Sequence, residues 1–161
     1  MLLIRDVLRE IERLAPTALQ ESYDHTGLQV GDVNKPARGA LLCVDVTEAV
    51  VDEAIAHDCN LIIAHHPLLF RPLRELTGAD YVQRCVAKAC RNDVVIYAAH
   101  TNLDNATGGV NYKLAELLGL QNTSILRPLS DGLLKLVTFV PEAHADAVRA
   151  ALADAGAGHI G

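Results

Sequence analysis

The chain has 161 residues, of which 50% are hydrophobic and 21% charged. This length predicts one domain with a small remainder, and the composition excludes disordered, collagen-like and low-complexity architectures. The formal net charge is −6, and no cluster of Lys and Arg is present that could follow a phosphate backbone, so nucleic acid is not expected as a main partner. No apolar run approaches the roughly 20 residues that span a bilayer, and no signal peptide is recognised. We therefore expect a cytoplasmic globular protein without a membrane partner.

The first part of the chain alternates between helical and strand patterns. Apolar residues recur at helical spacing over residues 2–14, Pro16 ends that helix, and a short strand is predicted over 28–31. Three near-continuous apolar runs then predict strands covered on both faces, at residues 40–44, 61–64 and 94–98. Helical patterns follow these strands, namely a helix capped by Thr47, a helix around 82–89 and a helix at about 110–118 that ends at Gly119. This alternation predicts an α/β fold with a mostly parallel sheet and flanking helices.

The pattern restarts near residue 130, where we place a domain boundary. The following elements are predicted to be a strand over 133–140, an Ala-rich helix over 143–153 and a glycine-rich loop over 155–158. One strand and one helix cannot close a core of their own, and the chain stops where another strand is expected to begin. Residues 1–130 are therefore expected to form one unit and 131–161 to begin a second, as a fragment of a longer protein.

The four cysteines, at positions 43, 59, 85 and 90, form no Cys-x-x-Cys pair. At least two of them fall inside apolar periodic stretches, which favours reduced and mostly buried thiols over a metal or redox role. A disulfide framework is not expected.

Ionisable side chains follow three of the predicted strands at the point where each strand ends. Asp45 follows the first, His65 and His66 follow the second, and His100 and Asp104 follow the third. Because the carboxyl ends of parallel strands lie at one edge of a sheet, these side chains are expected to converge there. Imidazole and carboxylate groups are ligands for divalent metals. The sequence therefore predicts a metal site at this edge.

These residues are not expected to have equal roles. Successive side chains of a strand point in different directions, so His65 and His66 cannot easily chelate one ion and are suited to serve two metals a few ångströms apart. Asp104 is the stronger ligand candidate of the next pair, whereas His100 is either a ligand or a hydrogen-bond partner that orients Asp104. The residues between them show no helical core pattern. Asp45 is either another orienting residue or only part of the turn before the helix.

Other features are weaker candidates. Gly108-Gly109 is interpreted as a plain turn rather than an anion site, because the Lys-Ser/Thr of a phosphate-binding loop is missing. His57 is assigned to the end of its helix and His144 to a solvent-facing position. The Tyr-Asp-His segment at 23–25, which includes Asp24 and His25, either reaches the mouth of the cleft or forms only a capped turn.

Four ordered motifs carry a resemblance to a known family. They are Tyr-Asp-His-Thr-Gly-Leu-Gln-Val-Gly at 23–31, Ala-His-His-Pro-Leu-Leu-Phe at 64–70, Ala-Ala-His-Thr-Asn-Leu-Asp at 98–104 and Gly-Gly-Val-Asn-x-x-Leu-Ala at 108–115. In this combination the chain resembles the Nif-three-like family of dinuclear metal-centre proteins, often labelled GTP cyclohydrolase I type 2 homologues. The resemblance covers essentially the whole chain.

The resemblance implies an α/β fold, a centre of two divalent metal ions and toroidal homohexamers. It makes His65, His66 and Asp104 metal ligands, with His100 beside them. It also implies that residues from about 130 begin a small α/β insertion similar to signal-transduction PII proteins. The ligand types suit zinc, iron, manganese and nickel alike.

Two departures from the family pattern affect the site. The family usually has Asp-Asn-x-Gly in its first motif, where this chain has His25 after Asp24. The family also completes its centre with His-x-x-x-Glu near the C-terminus, and no such motif follows residue 104 here. The bridging carboxylate is therefore not among these residues, so the 161-residue chain is expected to bind metal incompletely and to show little hydrolytic activity.

Together these features predict a dinuclear metal-binding protein, most simply a metal-dependent hydrolase acting on a nucleotide, in the manner of a GTP cyclohydrolase, or on a phosphate ester. No Ser/His/Asp or Cys/His arrangement for nucleophilic catalysis is recognised, so no catalytic residue is assigned. The alternatives are a non-enzymatic metal-binding assembly or regulatory protein and a metal-free α/β module. Self-association is expected as well, since an incomplete sheet in such a hydrophobic chain would leave apolar surface uncovered.

Overall fold

A computed structural model of the chain describes residues 1–126 and 135–158. The chain divides into two compact units, Met1–Thr123 and Ser124–Gly161. The sequence pattern places the boundary at about residue 130, which lies outside the described residues. Among the described residues, no helix is long and apolar enough to cross a bilayer.

The first unit is built on a four-stranded sheet with helices on both faces, which confirms the predicted fold class. The strands are β1 (Gly27–Val30), β2 (Ala40–Cys43), β3 (Leu61–Ala64) and β4 (Val95–Ala98). Their spatial order is β1-β4-β3-β2. The last three strands pair in parallel, and β1 pairs antiparallel with β4. The sheet is therefore mostly parallel, with one antiparallel edge strand.

Several helices of this unit begin or end at signals that the sequence contains. They are α1 (Ile4–Leu14), α2 (Glu48–Ala56), α3 (Tyr81–Arg91), α4 (Thr101–Asn105) and α5 (Val110–Leu117), with a short 3-10 turn at Thr17–Leu19. The hydroxyl of Thr47 accepts a hydrogen bond from the Val50 amide and caps α2, as predicted. Gly119 has a φ of +67° directly after α5, the left-handed conformation that ends many helices.

The core has a part on each face of the sheet. On one face, buried residues of α2 and α3 such as Val51 and Cys85 pack against Ile62 and Ile96. On the other face, Ile4 and Leu8 of α1 pack against a separate group of strand residues, namely Leu61, Val95 and Tyr97. Strands β3 and β4 are buried between these two layers, as their continuous apolar sequences predict.

The expectation that all three apolar runs are covered on both faces is wrong for β2. Leu42 is 75% exposed, and Val44, just after the strand, is 60% exposed. In the part of the chain that the structure describes, strand β2 lies at the edge of the sheet and has a strand neighbour on one side alone. An apolar run shows that a strand can be buried, but not which element covers it.

The second unit contains a 3-10 turn at Glu142–His144 followed by α6 (Ala145–Asp154), which confirms the helix predicted over 143–153. The strand predicted over 133–140 is absent from residues 135–140, the part of it that the structure describes. Residues 135–140 have no regular secondary structure, and 133–134 lie outside the described residues. A strand requires a pairing partner, and none is present among the described residues of this unit.

Candidate metal centre

The three parallel strands end level with one another, which brings the following residues together. The pairing register places Cys43 beside Ala64 and Ala64 beside Ala98. Backbone hydrogen bonds continue past the strands, from the His65 amide to the Cys43 carbonyl and from the His66 amide to the Val44 carbonyl, at 3.0 and 2.9 Å. The Ala99 amide likewise donates to the Ala64 carbonyl at 2.9 Å, so the loops after all three strands leave the sheet side by side.

His65, His66 and His100 form one cluster at this edge. One ligand atom from each residue lies within 4.8 Å of those of the other two. The ring centroids are 5.0 Å apart for the first pair, 5.3 Å for His65 and His100, and 5.5 Å for His66 and His100. The argument that adjacent histidines diverge applies within a strand, but both residues lie after the end of β3, where the backbone bends and the two rings can converge.

Each of the three imidazoles has its Nδ1 atom opposite an oxygen. His65 Nδ1 lies 2.9 Å from the carbonyl oxygen of Ala99. His66 Nδ1 lies 2.8 Å from Asp45 Oδ1, and His100 Nδ1 lies 2.9 Å from Asp24 Oδ1. An acceptor at Nδ1 assigns the ring proton to that nitrogen, so the neutral ring keeps a lone pair on Nε2. This is how histidines that bind metal are normally oriented.

Asp104 lies next to this cluster in α4. Its Oδ1 atom is 3.9 Å from His65 Nε2. His100 caps the same short helix, but it bonds Asp24, so the alternative in which His100 orients Asp104 is not the arrangement found. The absence of a helical pattern between these two residues was misleading, because a five-residue helix is too short to show hydrophobic periodicity.

Asp24 has a structural role behind the cluster, and the segment 23–25 is more than a capped turn. Its side chain is fully enclosed and accepts hydrogen bonds from His100, from the amide and hydroxyl of Thr101, and from the His25 amide. Burial alone would raise the pKa of Asp24, but these hydrogen bonds outweigh it and hold the pKa below the usual 3.8. Asp24 is therefore an ionised acceptor that fixes His100.

Two of the remaining candidates hold supporting positions. Asp45 is largely exposed but bonds His66, which decides between its two predicted roles in favour of orientation. His25 is exposed, and its Nδ1 lies 2.7 Å from the Leu69 carbonyl oxygen. His25 does not belong to the three-histidine cluster.

Asn102 is a supporting residue that the sequence reasoning missed. Its side chain is completely buried. Its Oδ1 accepts from the His100 amide at 2.9 Å, and its Nδ2 donates to the Ala15 carbonyl at 2.7 Å. The Thr26 hydroxyl lies 2.7 Å from the same Oδ1. The signal available was an amide residue two positions after His100, close to the end of a fully apolar strand, because a buried amide requires hydrogen-bond partners.

The other sequence candidates lie outside the cluster. His57 follows the last residue of α2 as its cap, and His144 is exposed, both as predicted. All four cysteines are free, and burial raises the pKa of Cys43 and Cys85. At Gly109, an added Cβ would lie 2.0 Å from the Leu103 carbonyl oxygen, so the glycine pair serves the close approach of α4 and α5, in agreement with a plain turn.

The fold and the cluster define an α/β protein with a histidine-rich candidate metal centre at the carboxyl edge of its sheet. The family model described as Duf34/NIF3 (NGG1p interacting factor 3) matches residues 2–159. The chain belongs to this family, which confirms the resemblance identified from the four motifs.

Curated relatives and solved structures agree with this assignment. The chain is 47% identical over 156 residues to a Halalkalibacterium halodurans protein named GTP cyclohydrolase 1 type 2 homolog, and 45% identical over 158 residues to a Bacillus subtilis protein of the same name. These alignments cover 96% and 98% of this chain and 42% of each relative. The chain thus spans less than half the length of the curated relatives that it matches.

Two solved structures show the same fold. A Bacillus cereus protein related to NIF3 has a TM-score of 0.75 and 46% identity, over 99% of this chain and 44% of that one. The reduced form of HcgD from Methanocaldococcus jannaschii has a TM-score of 0.70 and 34% identity, over 75% of this chain and 48% of that one.

Proposed function

We propose that this chain binds divalent metal through Nε2 of His65, His66 and His100, with Asp104 as a further ligand. The observation that carries the proposal is the occupied Nδ1 atom of every ring in the cluster. Within the described residues, no hydrogen bond is made by any of the three Nε2 atoms. Lone pairs that converge without a donor between them repel one another, and a divalent cation removes that repulsion.

The imidazole and carboxylate ligands fit transition metals, and we propose further that the cluster binds two ions. Two ligands of one ion can be separated by about 4.2 Å when metal–nitrogen bonds are near 2.1 Å, so atoms within 4.8 Å of one another suit one ion or two neighbouring ions. Zinc, iron, manganese and nickel all accept imidazole and carboxylate together. Family membership supports the two-ion alternative.

We propose further that the centre is hydrolytic, acting on a nucleotide or a phosphate ester. Bound divalent ions lower the pKa of water and stabilise negative charge on oxygen. An open cleft of about 290 Å³ lies beside His66, with Asp45, Thr47 and Tyr81 among its lining residues, so a small molecule has space next to the cluster. The name GTP cyclohydrolase 1 type 2 homolog, given to the relatives, supports a nucleotide as the first substrate to test.

The experiment combines elemental analysis of the purified chain with hydrolysis assays on GTP and a generic phosphodiester. His65→Ala should remove bound metal, and His57→Ala is the matched control because His57 caps the far end of α2. Metal bound equally by both variants would refute the site. Metal binding without hydrolysis of either substrate, in this chain and in longer relatives, would support the non-enzymatic alternative, an assembly or regulatory protein.

We also propose that the chain self-associates, with the homohexamer implied by the family as the expected form. Among the described residues, no strand pairs with the outer edge of β2, and Leu42 and Val44 expose most of their apolar side chains there. An unpaired strand edge with apolar side chains favours association with a further strand or chain.

A further inference from the structure

The segment that leaves the histidine cluster forms an exposed arm, which we define as residues 70–76. Both ends of the arm are held by glutamine side chains. Before it, the Leu69 amide donates to Gln29 Oε1 at 3.0 Å. After it, Oε1 of the buried Gln83 accepts from the amides of Thr77, Gly78 and Ala79, at 2.8, 3.0 and 3.3 Å. Between these anchors, residues 70–76 make no hydrogen bond to the rest of the described chain.

Phe70 places the start of the arm at the candidate metal centre. The residue is 49% exposed, and its ring centroid lies 6.4 Å from that of His100 in an edge-to-face arrangement. Arg71 follows Phe70 directly, and Arg74 lies three residues further on. The arm therefore starts beside the cluster, with Arg71 as its second residue.

Arg71 and Arg74 are exposed and unpaired among the described residues, a property that they share in the first unit with Arg91 at the end of α3. Arg38, Arg84 and Lys88 each meet a carboxylate at 2.8 Å. In the part of the chain that the structure describes, neither arginine of the arm forms an ion pair or a hydrogen bond. Glu75, which directly follows Arg74, pairs with neither of them. The arm thus has a net positive charge in a chain whose formal charge is −6.

We propose that Arg71 and Arg74 bind a phosphate group of the substrate and hold it beside the metal centre. This inference rests on the proposed function, because it names the part of the substrate that the site recognises. The guanidinium group is planar, always charged and able to donate two parallel hydrogen bonds to phosphate oxygens. An arm fixed at both ends but free between them can close both arginines on the anion. Free phosphate and a phosphomonoester share the recognised chemistry.

The test is a titration of the metal-free chain with inorganic phosphate and, separately, with ribose 5-phosphate, followed by phosphorus NMR. We expect dissociation constants on the order of 1 mM for the wild type and a loss of about tenfold or more in the Arg71→Ala/Arg74→Ala variant. If the variant loses affinity for ribose 5-phosphate alone, the arm recognises phosphomonoesters. If it loses affinity for both ligands, the arm recognises phosphate in general.

The matched control is Arg5→Ala/Arg91→Ala, which removes the same charge at the opposite edge of the sheet. Arg5 bonds Asn34 before β2, and Arg91 ends α3 before β4. Unchanged phosphate affinity in the arm variant, or an equal loss in the control, would overturn the proposal. Because no metal is added, failure of the cluster to bind metal would refute the proposed function without affecting this result.

Discussion

At the scale of single residues, the cluster depends on the acceptor that each imidazole has at Nδ1. Ala99 provides a backbone carbonyl for His65, whereas Asp45 and Asp24 provide carboxylates for the other two rings. A carboxylate partner makes the ring a better metal ligand because it stabilises positive charge on the imidazole. The two aspartates should therefore affect metal affinity without contacting the ion.

Asp45→Ala is predicted to weaken metal binding by about 10- to 100-fold, the usual effect of losing such a partner, with little effect on folding because Asp45 is exposed. Calorimetric titration with zinc measures the affinity. Asp52→Ala is the control, since Asp52 is also exposed but pairs with Lys88 between α2 and α3. Equal affinities in the wild type and Asp45→Ala would show that His66 does not need this partner.

Tyr97 gives a prediction at alkaline pH. Burial and the nearby Glu12 raise the pKa of Tyr97 from 10 to about 12. The unfolded chain releases this proton at lower pH than the folded one, so the stabilisation is complete below pH 10 and is lost as pH rises towards 12. Relative to Tyr97→Phe, the wild type should lose about 1 kcal/mol of unfolding free energy per pH unit in that window. Urea unfolding of both proteins at pH 9 and 11 measures this loss. A difference in unfolding free energy between the two proteins that is the same at both pH values would contradict the prediction.

The three histidines could be predicted from the sequence, whereas the roles of Asp24 and Asp45 stayed undecided, and the reason is physical. His65, His66 and His100 follow apolar strands, and topology alone brings strand ends together. The role of Asp24 depends on how the loop before β1 approaches α4, a contact between residues 77 positions apart. Local pattern cannot distinguish a carboxylate that caps its own turn from one that reaches across the fold.

At the scale of elements, α4 depends on tertiary contacts more than on its own sequence. Asn102 donates to the Ala15 carbonyl, and Asn105 donates to the Leu19 carbonyl, so the helix is held by the segment that follows α1. A helix of one turn is not stable alone. Strands β3 and β4 could be predicted because burial on both faces leaves a continuous apolar run, whereas α4 leaves no such pattern.

Gly109→Ala is predicted to lower the free energy of unfolding by about 2 kcal/mol or more, because its Cβ would clash with the Leu103 backbone. The displaced backbone should also move Asp104 and reduce metal affinity. Gly108→Ala is the comparison, since Gly108 has a φ of +77° but open space around it, so its cost should be about 1 kcal/mol. A smaller loss at Gly109 than at Gly108 in thermal unfolding would contradict this account.

At the scale of the whole molecule, β2 is the least complete part of the fold. Its exposed apolar side chains, Leu42 and Val44, make this edge the place where we expect association. The sequence predicted exposed apolar surface in general, but not its location. The PII-like character of residues after about 130 stays a prediction, since α6 alone does not define that fold.

We predict that the chain is larger than a monomer in light scattering at micromolar concentration. Leu42→Glu/Val44→Glu should shift it towards the monomer, because two buried carboxylates at the edge of β2 would oppose association. Arg13→Glu, a change on the exposed side of α1, should leave the mass unchanged. A wild-type chain that is monomeric over this range would refute the self-association proposal.

The most direct test of the histidine cluster is a calorimetric titration of the metal-free chain with zinc. We predict one ion bound stoichiometrically and a second bound more weakly, since no further bridging carboxylate is available among these residues to hold two dications together. His100→Ala should abolish the tight phase, and His57→Ala should retain it. Zinc binding that is absent in the wild type, or equally tight in His100→Ala, would contradict the assignment of the cluster as a metal site.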